Sequence, residues 1–478
     1  MFDSELHERK NSAGVSRRRF VQAAGVAGIT TSLAGCTGGS GGSGGVVVSA
    51  DQVMADASDS IISALREAGL DTDIEVEIVQ EDFQTDSRRQ TYTSALDAGR
   101  ASPDLFMMDS GWTIPFIVRE QLTNLEEELS SDIIDRVRGD YLSASVATAE
   151  SPDSGDLYGV PIFPDYPVMH YRKDLVEAAG YNPDGNDWAT TPVSWQEFSQ
   201  IAADARDEGD VEYGFTTQAA AYEGLSCCTF NETMSSFGGA YFGGRDNLFG
   251  PVGDRPVTVE EEPVIETLRM MRALMYGSDD PEAADGYQQI APSSIVQWTE
   301  EDARGPFTDG NAAFHRNWPY AISNNVEAFG EDFDVMPLPY GVEESESQYD
   351  GLGGSRAALG GWHLTLNPNS QQTEDAIQVL EAWTSNEVML AIFENVGNLP
   401  PIPGVLDGLT EDDVGPIARF IPTLQYVADR AVPRPVTDLW PNQSALVYQE
   451  VHDAYTQTKT PTEAMGQLAT DLEESDTR

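Results

Sequence analysis

"VVVSADQVMADASDSIISALREAGLDTDIEVEIVQ", Val46–Gln80, is the stretch whose reading decides the fold class. Its first five residues, Val46–Ala50, form a short apolar, β-branched run that reads as a buried strand. Met54–Ala68 then spaces its apolar residues at helical intervals and stops at Gly69. Ile74–Gln80 alternates apolar and polar residues, the pattern of a half-buried strand. Beyond it, Ser87–Ala98 reads as a second helix closed by Gly99, and "PDLFMMD", Pro103–Asp109, as a third strand. Alternating strands and helices build a parallel sheet covered by helices, so the chain is α/β. In such a sheet a ligand sits beyond the carboxyl ends of the strands. Asp109, Ser110 and Trp112 fall at one such end.

Toward the C-terminus, "LYGVPIFPDYPVMHYRKDLVEAAGY", Leu157–Tyr181, carries Pro161, Pro164 and Pro167 in its first half. Prolines clustered between strands suggest a crossing between domains. Ser194–Ala205 reads as a helix capped by Ser194, with Glu197 placed to return the cap. A further helix is expected over Pro263–Tyr276. Pro306–Asn325 reads as a loop, a short strand and a helix start, and Gly341–Ser355 as a polar surface loop. Ala358–Ser370 reads as a strand and turn, followed by helices over Thr373–Thr384 and Asn386–Asn395.

Toward the N-terminus lies "SRRRFVQAAGVAGITTSLAGCTGGSGGSGG", Ser16–Gly45. Ser16–Phe20 looks like a twin-arginine export signal. The uncharged run Phe20–Gly35 is too short for a membrane span, which needs ~20 apolar residues. Leu33-Ala34-Gly35-Cys36 resembles a lipobox, in which the chain is cut before the cysteine and its nucleophilic thiol takes lipid. Thr37–Gly45 has no apolar area to bury and reads as a flexible linker. The G-x-S-x-G pattern inside it lacks the flanking strand and helix of a nucleophile elbow. The expectation is a body exported by the twin-arginine route and held at the outer face of the cytoplasmic membrane through a lipid on Cys36.

The 27 Lys and Arg are set against 80 Asp and Glu, a formal charge of −53 that repels nucleic acid and anionic headgroups. Hydrophobic residues at 40% and 8 Trp, interleaved with the acids, argue for a packed core rather than disorder. The balance resembles proteins of extreme halophiles, where a Debye length of ~3 Å at about 1 M salt screens self-repulsion. Of the 3 Cys, Cys36 belongs to the signal, while Cys227 and Cys228 are adjacent. The first reading of that pair is two small buried residues, and the second is a bridge between neighbours. The 5 His lack pairing with each other or with cysteine, so no metal site and no catalytic residue is expected. Phosphate-binding glycine motifs are absent, and no cofactor is expected. Asn231-Glu232-Thr233 and Asn442-Gln443-Ser444 fit the N-glycosylation pattern.

"LYGVP", "YRKDLVEAAGY", "SWQEF", "GNAAFHRNWPYA", "MPLP", "LGGWHLTLNPNS" and "VGNLPPIPGV" follow one another along Val46–Glu474. In that order they resemble the extracellular sugar-binding proteins of ABC importers, close to the trehalose/maltose-binding type. The resemblance implies a two-lobed α/β fold of the periplasmic-binding-protein kind, hinged, with a ligand cleft between the lobes. It places crossings near Pro164, near Glu301–Phe307 and near Gly360. The division implied is residues 1–35 as signal, 36–45 as lipidated cysteine and linker, 46–164 with 306–358 as the first lobe, and 165–305 with 359–478 as the second. The partners implied are a sugar and the permease of an ABC transporter, met by a monomer.

A pyranose has apolar C–H faces and a rim of hydroxyls, so it calls for flat rings and for carboxylate, amide or guanidinium groups. On the resemblance the ligand-binding candidates are Asp109 and Trp112 at a strand end, Asp165 and Tyr166 at the first crossing, and Tyr222 with Glu223. Trp318 and Tyr320 in "NWPY", Trp362 in "GGW", and Arg434 with Trp440 in "RPVTDLW" complete them. Two rivals stand beside this reading: the same fold binding a peptide, amino acid or other solute, and a glycoside-acting enzyme with paired carboxylates. Among 80 acids some pair always lies at a suggestive spacing, so the enzyme reading has little support.

Overall fold

The structure is a computed structural model that describes residues 44–82 and 84–477. The expected export signal over residues 1–35, the lipid-bearing Cys36 and most of the linker lie outside the described residues.

Ten strands are described: β1 (Val46–Ala50), β2 (Val76–Gln80), β3 (Leu105–Asp109), β4 (Gly159–Asp165), β5 (Val168–Arg172), β6 (Tyr213–Thr216), β7 (Ala312–Asn317), β8 (Phe333–Met336), β9 (Ala357–Leu366) and β10 (Ala431–Pro433). They form two sheets. The first runs β10-β9-β3-β1-β2, with β4 also paired to β9. β1 lies between β3 and β2 and is parallel to both, with Val48 opposite Ile78 on one side and Leu105 on the other. The connections are the expected helices: Gln52–Asp56 and Ser58–Glu67 after β1, and Thr85–Asp97 after β2. β9 is antiparallel to β3 and β4, and its register sets Trp362 opposite both Asp109 and Phe163 and Gly360 opposite Asp165. The second sheet runs β6-β7-β5-β8.

Each sheet has its own apolar core, which makes the fold two-lobed. Val48, Leu105 and Leu364 pack with Leu380 and Val388 from helices Thr373–Trp383 and Asn386–Val396. Val168, Phe314 and Val335 pack with Leu268, Val447 and Leu468 from helices Glu262–Tyr276, Trp440–Tyr455 and Pro461–Asp476. Each such side chain, fully buried, stabilises its lobe by roughly 1.5–3 kcal/mol. The chain passes from the first sheet to the second between Asp165 and Val168, with only Tyr166 and Pro167 between them. At helix Trp195–Gly209, Ser194 caps as its sequence indicates, its Oγ accepting from the Glu197 N–H at 3.2 Å.

Two expectations need correction. Pro306 does not open a loop but lies inside helix Glu300–Thr308. That helix is started by a reciprocal cap between Thr299 and Asp302 and anchored by buried Ala303 and Phe307, four residues apart. It leads into β7, which pairs with β5, so the chain does not change sheets near Glu301–Phe307. It leaves the second sheet only after β8 and enters the first at β9. By strand pairing, residues 312–336 therefore join the second sheet, and 360–366 join the first between β3 and β4. Helices Thr373–Trp383 and Asn386–Val396 join the core of the first sheet. This reverses the lobe expected for 312–336, within the 306–358 segment, and for the start of 359–478, while Ala357 and Ala358 in β9 stay with the first sheet as expected. The physical reason is that β7 and β8 are needed to cover both edges of β5.

Among the described residues no helix is long and apolar enough to cross a membrane. Asn231 is 2% exposed, so its amide is out of reach of modification in the folded protein, whereas Asn442 is exposed.

Candidate functional site

The parallel strands of the first sheet end together, and the residues just past those ends share one cavity of about 950 Å3, counted out to the solvent at its mouth. Asp51 follows β1, Gln84, Asp86 and Arg88 open the helix after β2, and Asp109 closes β3. The row Phe163, Trp362 and Asp109 arrives by strand register, and Asp165 stands at the end of β4. The opposite wall comes from the second sheet and the helices on it: Trp318 and Tyr320 after β7, Glu300 at the start of its helix, and Tyr222, Glu223, Cys227 and Cys228 from one turn. Arg434, after β10, completes the wall.

Seven of the residues expected at the ligand, with Glu223 an eighth, therefore meet around this one cavity: Asp109, Asp165, Tyr222, Trp318, Tyr320, Trp362 and Arg434. Trp112, Tyr166 and Trp440 do not line it. Trp112 is fully buried behind Trp362, ring centroids 6.4 Å apart, and packs on Tyr92 and Phe116. Tyr166 lies in the core of the second sheet. Trp440 is fully buried and stacks near Tyr241 at 5.3 Å. A large ring gains more from complete burial than from a half-wet wall, and the sequence marks the two situations alike.

Each wall residue is held from behind. The guanidinium of Arg434 donates to Asp109, to Glu223 at 3.2 Å and to Ser110 Oγ at 3.3 Å. Gly111 leaves room for it, since a methyl there would lie 2.5 Å from Arg434 Cζ. Gly361 takes φ +143, and a side chain on it would press on the Phe163 carbonyl at 2.9 Å. The "GGW" motif thus lets β9 bring Trp362 to the cavity edge. Arg88 lies over the Trp362 ring at 4.2 Å, and Arg316 over the Trp318 ring at 4.5 Å. Arg316 is in turn fixed by a two-point ion pair with buried Glu232, at 2.7 and 2.8 Å. Tyr320 donates its hydroxyl to Glu301 at 2.7 Å.

The wall carries six carboxylates against the guanidinium groups of Arg88 and Arg434. Burial pushes Asp165 up to about 8, reinforced by Asp51, Asp109 and Glu300 and opposed by Arg316. Its Oδ1 is buried with no hydrogen-bond partner among the described residues. Burial likewise raises Glu223, against the pull of Arg434, and raises Glu300. The cavity therefore offers acceptors that lack donors, beside exposed edges of two indole rings.

Glu223, Asp51, Gln84, Asp86, Arg88, Phe163, Glu300 and Asn398 also line the cavity; Glu223 was anticipated and the others were not. Asp51 and the Gln84–Arg88 group were within reach of the strand-end rule that pointed to Asp109. Phe163, Glu300 and Asn398 carry no local signal. Cys227 and Cys228 are buried, as the first reading had them, and are also joined in the bridge between neighbours that was the second reading.

The model of the family described as bacterial extracellular solute-binding protein matches residues 62–415. A probable ABC transporter-binding protein of Deinococcus radiodurans is 26% identical over 388 residues, 80% of this chain and 80% of its own. Among solved structures, maltose-bound MalE3 of T. maritima has a TM-score of 0.72 at 28% identity, covering 90% of this chain and 99% of its own. UgpB of Mycobacterium tuberculosis in complex with glycerophosphocholine has a TM-score of 0.66 at 19% identity, covering 91% and 98%, a likeness of fold.

Proposed function

The chain belongs to the bacterial extracellular solute-binding proteins, and on that premise we propose that it binds a sugar, a di- or oligosaccharide such as a glucoside, between its two lobes and delivers it to the permease of an ABC transporter. The observation that carries the sugar reading is the pairing, within one cavity, of Trp318 and Trp362 from opposite walls with carboxyl groups that lack partners, Asp165 foremost. Rings suit the C–H faces and the carboxylates suit the hydroxyl rim. A solute touching both walls favours the state in which they meet, so ligand binding and lobe closure are one equilibrium, and the closed shape is what a permease reads. No wall residue is assigned a catalytic role, and the protein acts as a monomer.

The second reading, a phosphorylated solute such as UgpB of M. tuberculosis holds, is disfavoured by the same wall. Even with Asp165 mostly protonated, the acidic groups of the lining outnumber its two guanidinium groups and disfavour an anion. Support for the tether is in the sequence: Ser16–Phe20 as a twin-arginine signal, and Cys36 as the lipid-bearing residue behind a Gly/Ser linker. A receptor held beside its permease gains effective concentration. The excess of acidic residues supports a high-salt environment.

A thermal-shift screen in high salt tests the reading, because a ligand that binds only the folded state raises apparent stability. Mono- and disaccharides, with maltose and trehalose among them, are compared with glycerophosphocholine and amino acids. A shift confined to sugars is expected. A shift with glycerophosphocholine or an amino acid and with no sugar would overturn the assignment.

A further inference from the structure

The disulfide Cys227–Cys228 has no part in the reading above, yet it faces the same cavity. Both cysteines are 5% exposed. They pack with Trp318 and Ala358 as one apolar group, with Tyr320 against it. The turn that carries them, Leu225–Thr229, is π-helical and runs into helix Phe230–Ser236. It is pinned from outside: Tyr241 Oη donates to the Ser226 carbonyl at 2.6 Å, Thr229 Oγ1 donates to the Gln218 carbonyl at 3.0 Å, and the hydroxyls of Ser226 and Ser444 are 2.6 Å apart. Single extra-residue turns of this kind recur at functional sites.

The surroundings give the bridge its meaning. Six carboxyl groups, Glu223 and Glu300 among them, line the same cavity, so the sulfur pair and the rings of Trp318 and Tyr320 form an apolar group in an acidic lining. A disulfide carries no S–H and does not ionise, whereas two thiols in the same place would present two donors to those acids. Stability alone does not account for it, because a bridge between neighbours closes the shortest possible loop and restricts the unfolded chain least.

We propose that the Cys227–Cys228 disulfide is part of the ligand-binding surface. With Trp318 it makes the apolar floor on which the C–H face of a pyranose rests, and its oxidised state keeps that floor apolar and in place. The inference rests on the sugar reading and adds to it a contact of soft, polarizable sulfur with the sugar ring.

Calorimetric titration with maltose tests it on four samples: the oxidised protein, the protein reduced with tris(2-carboxyethyl)phosphine, the reoxidised protein, and Cys227→Ser/Cys228→Ser. Reduction breaks the S–S bond and forms two S–H groups, while the phosphine takes oxygen from water and becomes the phosphine oxide. The expected result is affinity about tenfold weaker after reduction and in the double variant, recovered on reoxidation, as loss of one buried apolar contact gives. Ligand-free melting should stay within ~2 °C of the oxidised protein. Equal affinity in all four would overturn the inference and leave the sugar reading intact. Ligand-free melting that falls steeply on reduction would assign the bridge to folding instead. An oxidised protein that binds neither maltose nor any other sugar of the screen would remove the sugar reading, and this inference with it.

Discussion

Asp165→Asn separates binding from stability, because the two should move in opposite directions. The wild-type carboxyl, raised by burial to about 8, is ionised in the unfolded chain at pH 7 and mostly protonated in the folded one. The folded state then holds the extra proton, so stability falls as pH rises from about 4 to about 8. At pH 7 that is about three pH units above the ordinary carboxylate value, a cost on the order of 4 kcal/mol. An amide avoids it but still places polar atoms where Oδ1 has no partner, at about 1–3 kcal/mol. The net expectation is ligand-free melting raised by ~2–5 °C at pH 7, with the gap closing as pH falls and reversing below about pH 4, where only the cost of the amide is left. Affinity should move the other way. Sugar hydroxyls donating to the carboxylate favour its ionised form, so wild-type binding releases a proton below pH ~8, and loss of charged hydrogen bonds of ~1.5–3 kcal/mol weakens the variant roughly 10- to 150-fold. Titration calorimetry in buffers of different ionisation enthalpy reads both affinity and proton release. Unchanged affinity would remove Asp165 from the ligand, and melting lowered at pH 7 would refute the idea that its burial is uncompensated.

Trp318→Ala removes the ring that faces the cavity over Arg316, and sugar affinity in titration should fall about tenfold or more; an unchanged isotherm would exclude it from the binding surface. Arg434→Gln leaves Asp109 and Glu223 buried without their cation, so ligand-free stability in denaturant should drop by about 3–5 kcal/mol near neutral pH, and by less at low pH where Glu223 is protonated. Cys36→Ala should release the protein from the membrane fraction or leave it uncleaved, and a variant as firmly attached and processed as wild type would end the lipoprotein reading. Dialysis to millimolar salt should erase the near-UV circular dichroism and restored salt should return it, since 80 acids repel one another without screening.

The strand-helix alternation of Val46–Asp109 made the first sheet legible, because buried parallel strands and their covering helices announce themselves locally. The residues past the strand ends followed from it, and Asp109 was found that way. So was the first passage between sheets, where Pro164 and Pro167 interrupt the pattern. The order of motifs from "LYGVP" to "VGNLPPIPGV" supplied the two-lobed fold that periodicity alone leaves open. What stayed hidden depends on partners distant in sequence. β7 looks like an edge of either lobe until β5 and β6 claim it, so the allotment of 306–358 was a matter of strand pairing. Trp112, Tyr166 and Trp440 resemble Trp318 and Trp362 in composition and setting, and only packing separates a ring sealed in a core from one left at a cavity edge. The neighbours Cys227 and Cys228 were visible as letters, but their facing Trp318 in an acidic cavity came from the turn and the helices that hold it. Local sequence specifies elements because hydrogen bonding and periodic burial are local; it is silent on the wall of the cavity because burial, carboxyl pKa and ring exposure are set by whatever the rest of the chain packs against them.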